Sequence, residues 1–328
     1  MEFELIKRYF SDIGHCRDDV VLGVGDDAAI LSPPPAHELV VSTDTLVSGV
    51  HFFPDVYPYS LGHKVLAVNL SDLAAMAARP AWVTLALTLP SADEQWLSQF
   101  GRGFSALARQ HGVRLVGGDT TCGPLAITVQ AMGFVAQGEG WRRSGAKVGD
   151  LIYVTGSLGD AGLALKAKQQ PLALPKNELD ELSLRLTQPT PRVQEAQALN
   201  GLVSAAIDLS DGLASDLGHL LQASGVGAVI EWDALPLSHA FRACQQHPAA
   251  QSLSAACWQA LPLSAGDDYE LCFTINPEHQ HEMKRRLSQQ GFIAHHIGVI
   301  DDDIGLRCKQ KNGVLFDVTQ SGYQHFTN

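Results

Sequence analysis

The chain has 328 residues, is 45% hydrophobic and carries a formal net charge of −12. That length favours two domains with ample apolar material for buried cores. The acidic balance, with no cluster of Lys and Arg, argues against a nucleic-acid surface, and no apolar run is long enough to span a bilayer. Six scattered cysteines (16, 122, 244, 257, 272 and 308) form no C-x-x-C pair, as expected of reduced thiols in a cytoplasmic protein. The N-terminal ten residues alternate charge with bulk and offer no signal-peptide core.

In chain order, Leu39 to Ser42 reads as a short strand, and Leu61 to Ala78 as a helix stopped by Pro80. On that helix Val65, Asn69, Asp72 and Met76 share one face by three- and four-residue steps. Strict alternation marks strands over 83–89 and 127–131, with a helix over 92–111 and a short strand over 113–116 between them. The glycine-rich, basic stretch 138–150 breaks both periodicities and marks a domain junction, giving expected domains 1–138 and 139–328. Beyond it, strands are expected over 151–155, 203–207, 228–232, 271–275 and 292–300. Helices are expected over 160–168, 178–187, 191–200, 211–224 and 277–290, and a loop over 170–176. The pattern is α+β.

Aspartates recur where these apolar runs end: Gly23-Val24-Gly25-Asp26-Asp27, Ser42-Thr43-Asp44, Asn69-Leu70-Ser71-Asp72, Gly117-Gly118-Asp119-Thr120 and Asp208-Leu209-Ser210-Asp211-Gly212. Two carboxylates about 4 Å apart repel by roughly 4 kcal/mol at an effective dielectric near 20, so a convergent set needs cations or protons between them. Oxygen ligands beside glycines suit Mg²⁺ held together with substrate phosphates, which points to phosphoryl transfer. Each motif also has a plainer reading. Gly23 to Asp27 can be a glycine turn with solvated acids, Ser42 to Thr45 a cap or Asx turn, 117–120 a tight turn, and Ser210 or Asp211 the N-cap of a helix. Asp72 is harder to explain away, because on the face shared with Val65 it would be a partly buried charge. Gly156-Ser157-Leu158-Gly159-Asp160 follows a strand like a phosphate-binding turn but lacks the Gly-Lys-Ser/Thr ending of a Walker loop. No His-Glu-x-x-His spacing and no Gly-x-Ser-x-Gly elbow is present.

Taken in order, Gly-Val-Gly-Asp-Asp-Ala (23–28), Ser-Thr-Asp-Thr-Leu-Val-Ser-Gly-Val-His-Phe (42–52), Ala-Val-Asn-Leu-Ser-Asp-Leu-Ala-Ala-Met (67–76), Gly-Gly-Asp-Thr (117–120), Arg-Ser-Gly-Ala-Lys (143–147) and Ile-Asp-Leu-Ser-Asp-Gly (207–212) closely resemble the thiamine-monophosphate kinase family. The likeness runs nearly end to end. It implies the two-domain α/β sandwich of the aminoimidazole-ribonucleotide synthetase superfamily: an N-terminal mixed sheet with helices that binds ATP and Mg²⁺ and forms a homodimer, and a C-terminal α+β domain that completes the nucleotide and substrate site in a cleft between the two. The implied reaction converts ATP and thiamine monophosphate to ADP and thiamine diphosphate with several Mg²⁺ ions.

By the same resemblance Asp27, Ser42, Thr43, Asp44, Asp72, Asp119, Asp208 and Asp211 look like metal ligands, direct or through water. Gly118, Asp119, Arg143 and Ser210 look like ATP contacts, and His51, Asp267 and Tyr323 look like contacts to thiamine phosphate. Asp44, Asp72, Asp119 and Arg143 are the expected catalytic set. The family usually carries Gly-Gly-Glu-Asp-Tyr-Glu where this chain has Ala265-Gly266-Asp267-Asp268-Tyr269-Glu270, so the acid at 267 is one methylene shorter. An acceptor that is already an anionic phosphate oxygen needs alignment and neutralisation rather than a strong general base. The alternatives are another ATP-dependent synthetase of the superfamily, sharing nearly all these aspartates, and a non-catalytic metal-binding protein, although no EF-hand spacing occurs.

Overall fold

A computed structural model describes residues 2–310 and 312–318, and the chain divides into two compact units, Met1–Gly140 and Trp141–Asn328. The first contains α1 (Glu2–Tyr9), β1 (Val20–Leu22), β2 (Ile30–Leu31), β3 (His37–Val47), α2 (Pro58–Ala75), β4 (Arg79–Leu89), α3 (Glu94–Gln110), β5 (Arg114–Cys122) and β6 (Ala126–Ala136). Its main sheet has the order β3-β6-β4-β5. Only β4 and β5 run parallel, and α3 is the connection that such a pair requires. β3 and β6 pair antiparallel without interruption from His37↔Ala136 to Val47↔Ala126.

Helix α2 is buried on nearly every side, including Val65, Leu66, Asn69, Leu70 and Leu73. A helix so enclosed packs by tertiary contact rather than by a single apolar stripe. It starts earlier and stops earlier than its sequence suggests. Pro58 fits the first turn, where its missing N–H is not needed, and the chain leaves the helix through left-handed Ala77. Pro80 therefore lies inside β4 rather than ending the helix. It pairs with Gly133 of β6 beside a register irregularity and before β5 joins the strand at Trp82, an edge position where proline is tolerated.

The second unit contains β7 (Leu151–Thr155), α4 (Asp160–Gln169), α5 (Lys176–Thr187), α6 (Val193–Ala198), β8 (Val203–Asp208), α7 (Leu213–Ser224) and β9 (Gly227–Glu231). It continues with α8 (His239–Gln246), α9 (Ala255–Ser264), β10 (Leu271–Ile275), α10 (Gln280–Gln289), β11 (Ala294–Asp301), β12 (Gly305–Lys309) and β13 (Leu315–Asp317). The seven-stranded sheet has the order β13-β12-β9-β11-β7-β10-β8, with only β9 and β12 parallel. One apolar core joins this sheet to α7 through Ile152, Ile207, Leu217 and Leu306, and another gathers Leu163, Leu182, Phe241 and Trp258 from α4, α5, α8 and α9. The α+β class expected from the sequence is the one observed. Helices α8 and α9 were not anticipated, and Pro262 inside α9 shows why pattern alone passed over it.

Candidate functional site

In the first unit the strand period of two decides which residues of 42–45 can act together. Ser42 and Asp44 turn to the partly buried face of β3, whereas Thr43 and Thr45 are exposed on the other. Thr43 Oγ1 accepts from Gln130 Nε2 at 3.4 Å and Thr45 Oγ1 lies 2.8 Å from Thr128 Oγ1. The Thr43 side chain thus points away from its neighbours in the expected ligand set.

Across from the inner face stands Asp72 of α2. Ser42 Oγ donates to Asp72 Oδ2, and the Asp44 carboxyl faces that of Asp72. Asn69, one turn earlier on α2, accepts from the backbone N–H of Asp44 at 3.2 Å while its own amide donates to Val65 O at 3.0 Å. Burial, and then the charge of Asp72, push the Asp44 carboxyl up to about 7. Two half-buried carboxyls this close favour a shared proton unless a cation replaces it. That chemistry fits a divalent metal, although among the described residues no three His, Cys, Asp or Glu side chains gather into a complete protein-only metal site. Mg²⁺ commonly uses one or two carboxylates and completes its shell with water and substrate phosphates.

The other acidic motifs of this unit meet at a separate cleft of about 600 Å³. Asp26, Asp27, Gly117, Gly118, Asp119 and Thr120 line its polar side. Its apolar lining includes Ile6, Phe10, Leu85 and Val116. Asp27 and Asp119 are exposed. At Gly118 (φ 158°) a Cβ would sit 1.9 Å from Leu85 O, so only glycine lets β5 lie this close to β4 while its backbone lines the cleft. His51 is half-buried, and its Nδ1 accepts from the Val47 N–H at 3.0 Å, which puts the proton of the neutral ring on Nε2.

In the second unit the 208–212 and 266–270 segments continue side by side beyond the β8–β10 ladder. Leu209 N–H donates to Glu270 O, Tyr269 N–H to Leu209 O, and Asp267 N–H to Ser210 O, each at 2.8 Å. Asp208, Ser210, Asp211 and Asp267 are thereby held on adjoining backbone. Asp267 and Tyr269 are both left-handed, at φ 69° and 49°. Asp216 of α7 reaches back to accept from the N–H groups of Asp211 and Gly212 at 3.0 and 3.1 Å. Burial foremost, with the charge of Asp211 adding to it, pushes the Asp216 carboxyl up to about 7, while the Arg143 charge works the other way. Arg143 itself is exposed, and its carbonyl accepts from Ser224 Oγ at 3.0 Å.

The Gly156–Asp160 turn has a packing role. The N–H of Gly159 donates to both carboxylate oxygens of Asp268 at 3.1 and 3.0 Å, so the donor that a phosphate would take is already engaged. Beside it Glu270, fully buried, accepts from Thr155 Oγ1 at 2.6 Å, from Nε and Nη2 of Arg192 at 2.5 Å each, and from Arg185. Burial raises the Glu270 carboxyl, but Arg192 and Arg185 outweigh it and hold it below the usual range. Reading the sequence missed this cluster and Asp216, because the partners of Glu270 are 78 to 115 residues away from it and Asp216 looks like an ordinary helix polar residue. Tyr323 lies outside the described residues.

Paired carboxyls and a separate glycine-backed acidic cleft, in a chain of two α+β units, fit the class of AIR synthase related proteins. The model of the AIR synthase related protein N-terminal domain matches residues 25–135, and that of the corresponding C-terminal domain matches 147–309. The chain belongs to the thiamine-monophosphate kinase family. It is 46% identical over 326 residues to the thiamine-monophosphate kinase of Salmonella typhimurium, covering 99% of this chain and 98% of that one. The crystal structure of thiamine-monophosphate kinase from Stenotrophomonas maltophilia K279a superposes with a TM-score of 0.83 at 45% identity, over 93% of this chain and 94% of that one. A structure of AaThiL complexed with AMPPCP and TMP matches at a TM-score of 0.77 and 28% identity, over 92% of each chain.

Proposed function

We propose that the protein transfers the γ-phosphoryl group of ATP to the phosphate of thiamine monophosphate, releasing ADP and thiamine diphosphate. The observation that carries this reading is the full-length likeness to thiamine-monophosphate kinases, supported by a relative solved with an ATP analogue and thiamine monophosphate. It is favoured over the synthetase and metal-binding alternatives.

In this reading Asp44 and Asp72 hold Mg²⁺, with Ser42 fixing the Asp72 carboxylate and Asn69 fixing the backbone of Asp44. Asp27 and Asp119 hold metal at the neighbouring cleft, and the Gly118 backbone approaches the nucleotide phosphates. Thr43 contributes through its backbone or a water. When bound, Mg²⁺ neutralises charge on the bridging phosphate oxygens. Arg143 offers a forked cation to the triphosphate, Ser210 a hydroxyl to ATP, and Asp208 and Asp211 the metal ligands of the second unit. His51, through Nε2–H, and Asp267 orient the acceptor. Because the attacking phosphate oxygen is already anionic, these groups align and neutralise, and transfer is direct and in line with no phosphoenzyme.

A homodimer through the N-terminal sheet is part of the proposal. It is supported by β3, an eleven-residue edge strand whose Leu39 and Val41 are each 49% exposed, the kind of edge that proteins ordinarily cover. A cytoplasmic setting is supported by the six free cysteines, and no helix among the described residues is long and apolar enough to cross a membrane. The deciding assay is mass spectrometry of products from ATP and thiamine monophosphate with and without Mg²⁺. Mg²⁺-dependent thiamine diphosphate is expected, and folded protein that yields none refutes the proposal.

A further inference from the structure

The backbone of 266–270 takes an expensive path. Asp267 and Tyr269 are left-handed residues with side chains, and such conformations persist only where the surroundings over-determine them. Three backbone hydrogen bonds to 209–210 fix one side of the segment and the Gly159 N–H fixes Asp268 on the other. The end of the segment is fixed by a charge cluster. Glu270 takes both a forked contact from Arg192 and a contact from Arg185, while Arg192 Nη1 also donates to Glu195 at 3.0 Å.

Thr155 Oγ1 ties this cluster to the sheet. It donates to Glu270 and accepts from the Leu271 N–H at 2.9 Å, so one hydroxyl joins the carboxylate to the first residue of β10. Gly156 leaves the room: a Cβ there would meet Glu270 Oε1 at 2.1 Å and Arg192 Nη2 at 2.6 Å. A buried ion cluster of this kind contributes little net stability compared with apolar packing, yet it admits only one arrangement of its hydrogen bonds.

We propose that Glu270 is a positioning residue for the acceptor side of the reaction: clamped by Arg185, Arg192 and Thr155, it holds 267–269 in the left-handed path that sets Asp267 beside Ser210. The inference rests on the kinase reading above and on Asp267 as an acceptor contact. Glu270 touches no substrate in it. The arginines come from the end of α5 and the start of α6, so those helices act on the site through this one carboxylate.

The test uses full-length Glu270→Gln, with Thr155→Val and Thr155→Ser as milder companions. In Glu270→Gln, hydrogen exchange at the amides of Asp267 and Tyr269 should quicken at least tenfold while β4 and β6 keep their protection. KM for thiamine monophosphate should rise at least tenfold and KM for ATP should stay within about twofold. Thr155→Val should move both readouts in the same direction by about threefold, and Thr155→Ser should restore them. Unchanged exchange and KM in Glu270→Gln overturn the proposal, as does loss of protection throughout the second unit with both KM values rising together. Should Glu270→Gln not fold, Thr155→Val with wild-type exchange and KM overturns it equally. Wild-type protein that makes no thiamine diphosphate would defeat the kinase reading instead, and the exchange measurement would still decide whether the clamp holds the turn.

Discussion

Replacing Asp44 by Asn should make the protein more stable and less active at once. In the metal-free protein the Asp44 carboxyl, buried and facing Asp72, titrates at about 7 instead of its ordinary 3.8. A raised folded-state pKa is a cost to folding that is absent below the unfolded value, grows as pH rises and is complete above the folded one. At about 1.4 kcal/mol per pH unit the rise sets an upper bound of about 4 kcal/mol, borne jointly by the two carboxyls. An Asn amide can donate to Asp72 without the charge conflict, so about 1–3 kcal/mol should be recovered at pH 8 in EDTA and nearly none at pH 4. Turnover should fall at least tenfold, equivalent to about 1.4 kcal/mol of barrier. Denaturant melts of wild type and variant at the two pH values, alongside ADP release with and without Mg²⁺, measure both effects. A variant with no pH-dependent gain in stability would remove the carboxyl conflict, and one with wild-type turnover would falsify the role of Asp44 as a metal ligand.

Gly118→Ala should cost about 1–3 kcal/mol of stability, because its methyl collides with Leu85 O, and should raise KM for ATP. A thermal melt and an ATP titration check this, and an unchanged melting temperature would mean that β5 can retreat from β4. Asp267→Ala should weaken binding of thiamine monophosphate by about ten- to a hundredfold, the loss of one hydrogen bond to a charged group, and leave ATP binding nearly intact. Asp267→Glu should remain active, and separate titrations of the two substrates distinguish these outcomes. Val41→Lys on the edge strand should convert a dimer to a monomer in sedimentation velocity, and a wild-type sedimentation coefficient in the variant would place any interface elsewhere.

Asp72 was legible in the sequence, because a carboxylate on a core-facing helix turn demands a partner; that Ser42 and Asp44 supply it emerged only with β3 packed against α2, since 42–45 also fits a cap or Asx turn. Within Ser42, Thr43 and Asp44 the sequence did not separate the two faces of the strand, and adjacent residues there point opposite ways. The alternating strands near 83–89 and 127–131 were legible for the same reason, although each extends beyond its alternating stretch where both faces become buried. What sequence could not supply were contacts across long separations. Glu270 meets Arg185, Arg192 and Thr155 only once β7 and β10 are neighbours, and nothing local in Arg185 or Arg192 distinguishes them from solvated helix arginines. The Gly156–Asp160 turn resembled a phosphate loop because its glycines follow a strand and lead into a helix, and Asp268, over a hundred residues away, takes the Gly159 N–H instead.

The left-handed backbone at 267 also narrows which substitutions the protein can explore. Asp is among the few non-glycine residues that enter this conformation readily, its short carboxylate finding local hydrogen bonds, whereas a longer acid gains reach toward a ligand at greater backbone cost. Exchange between the two acids is therefore a trade of conformational ease against span. Its outcome depends on how firmly the flanking residues hold the turn, so a lineage with a loosened clamp would be pressed toward Asp, Asn or Gly at this position before any change in the substrate.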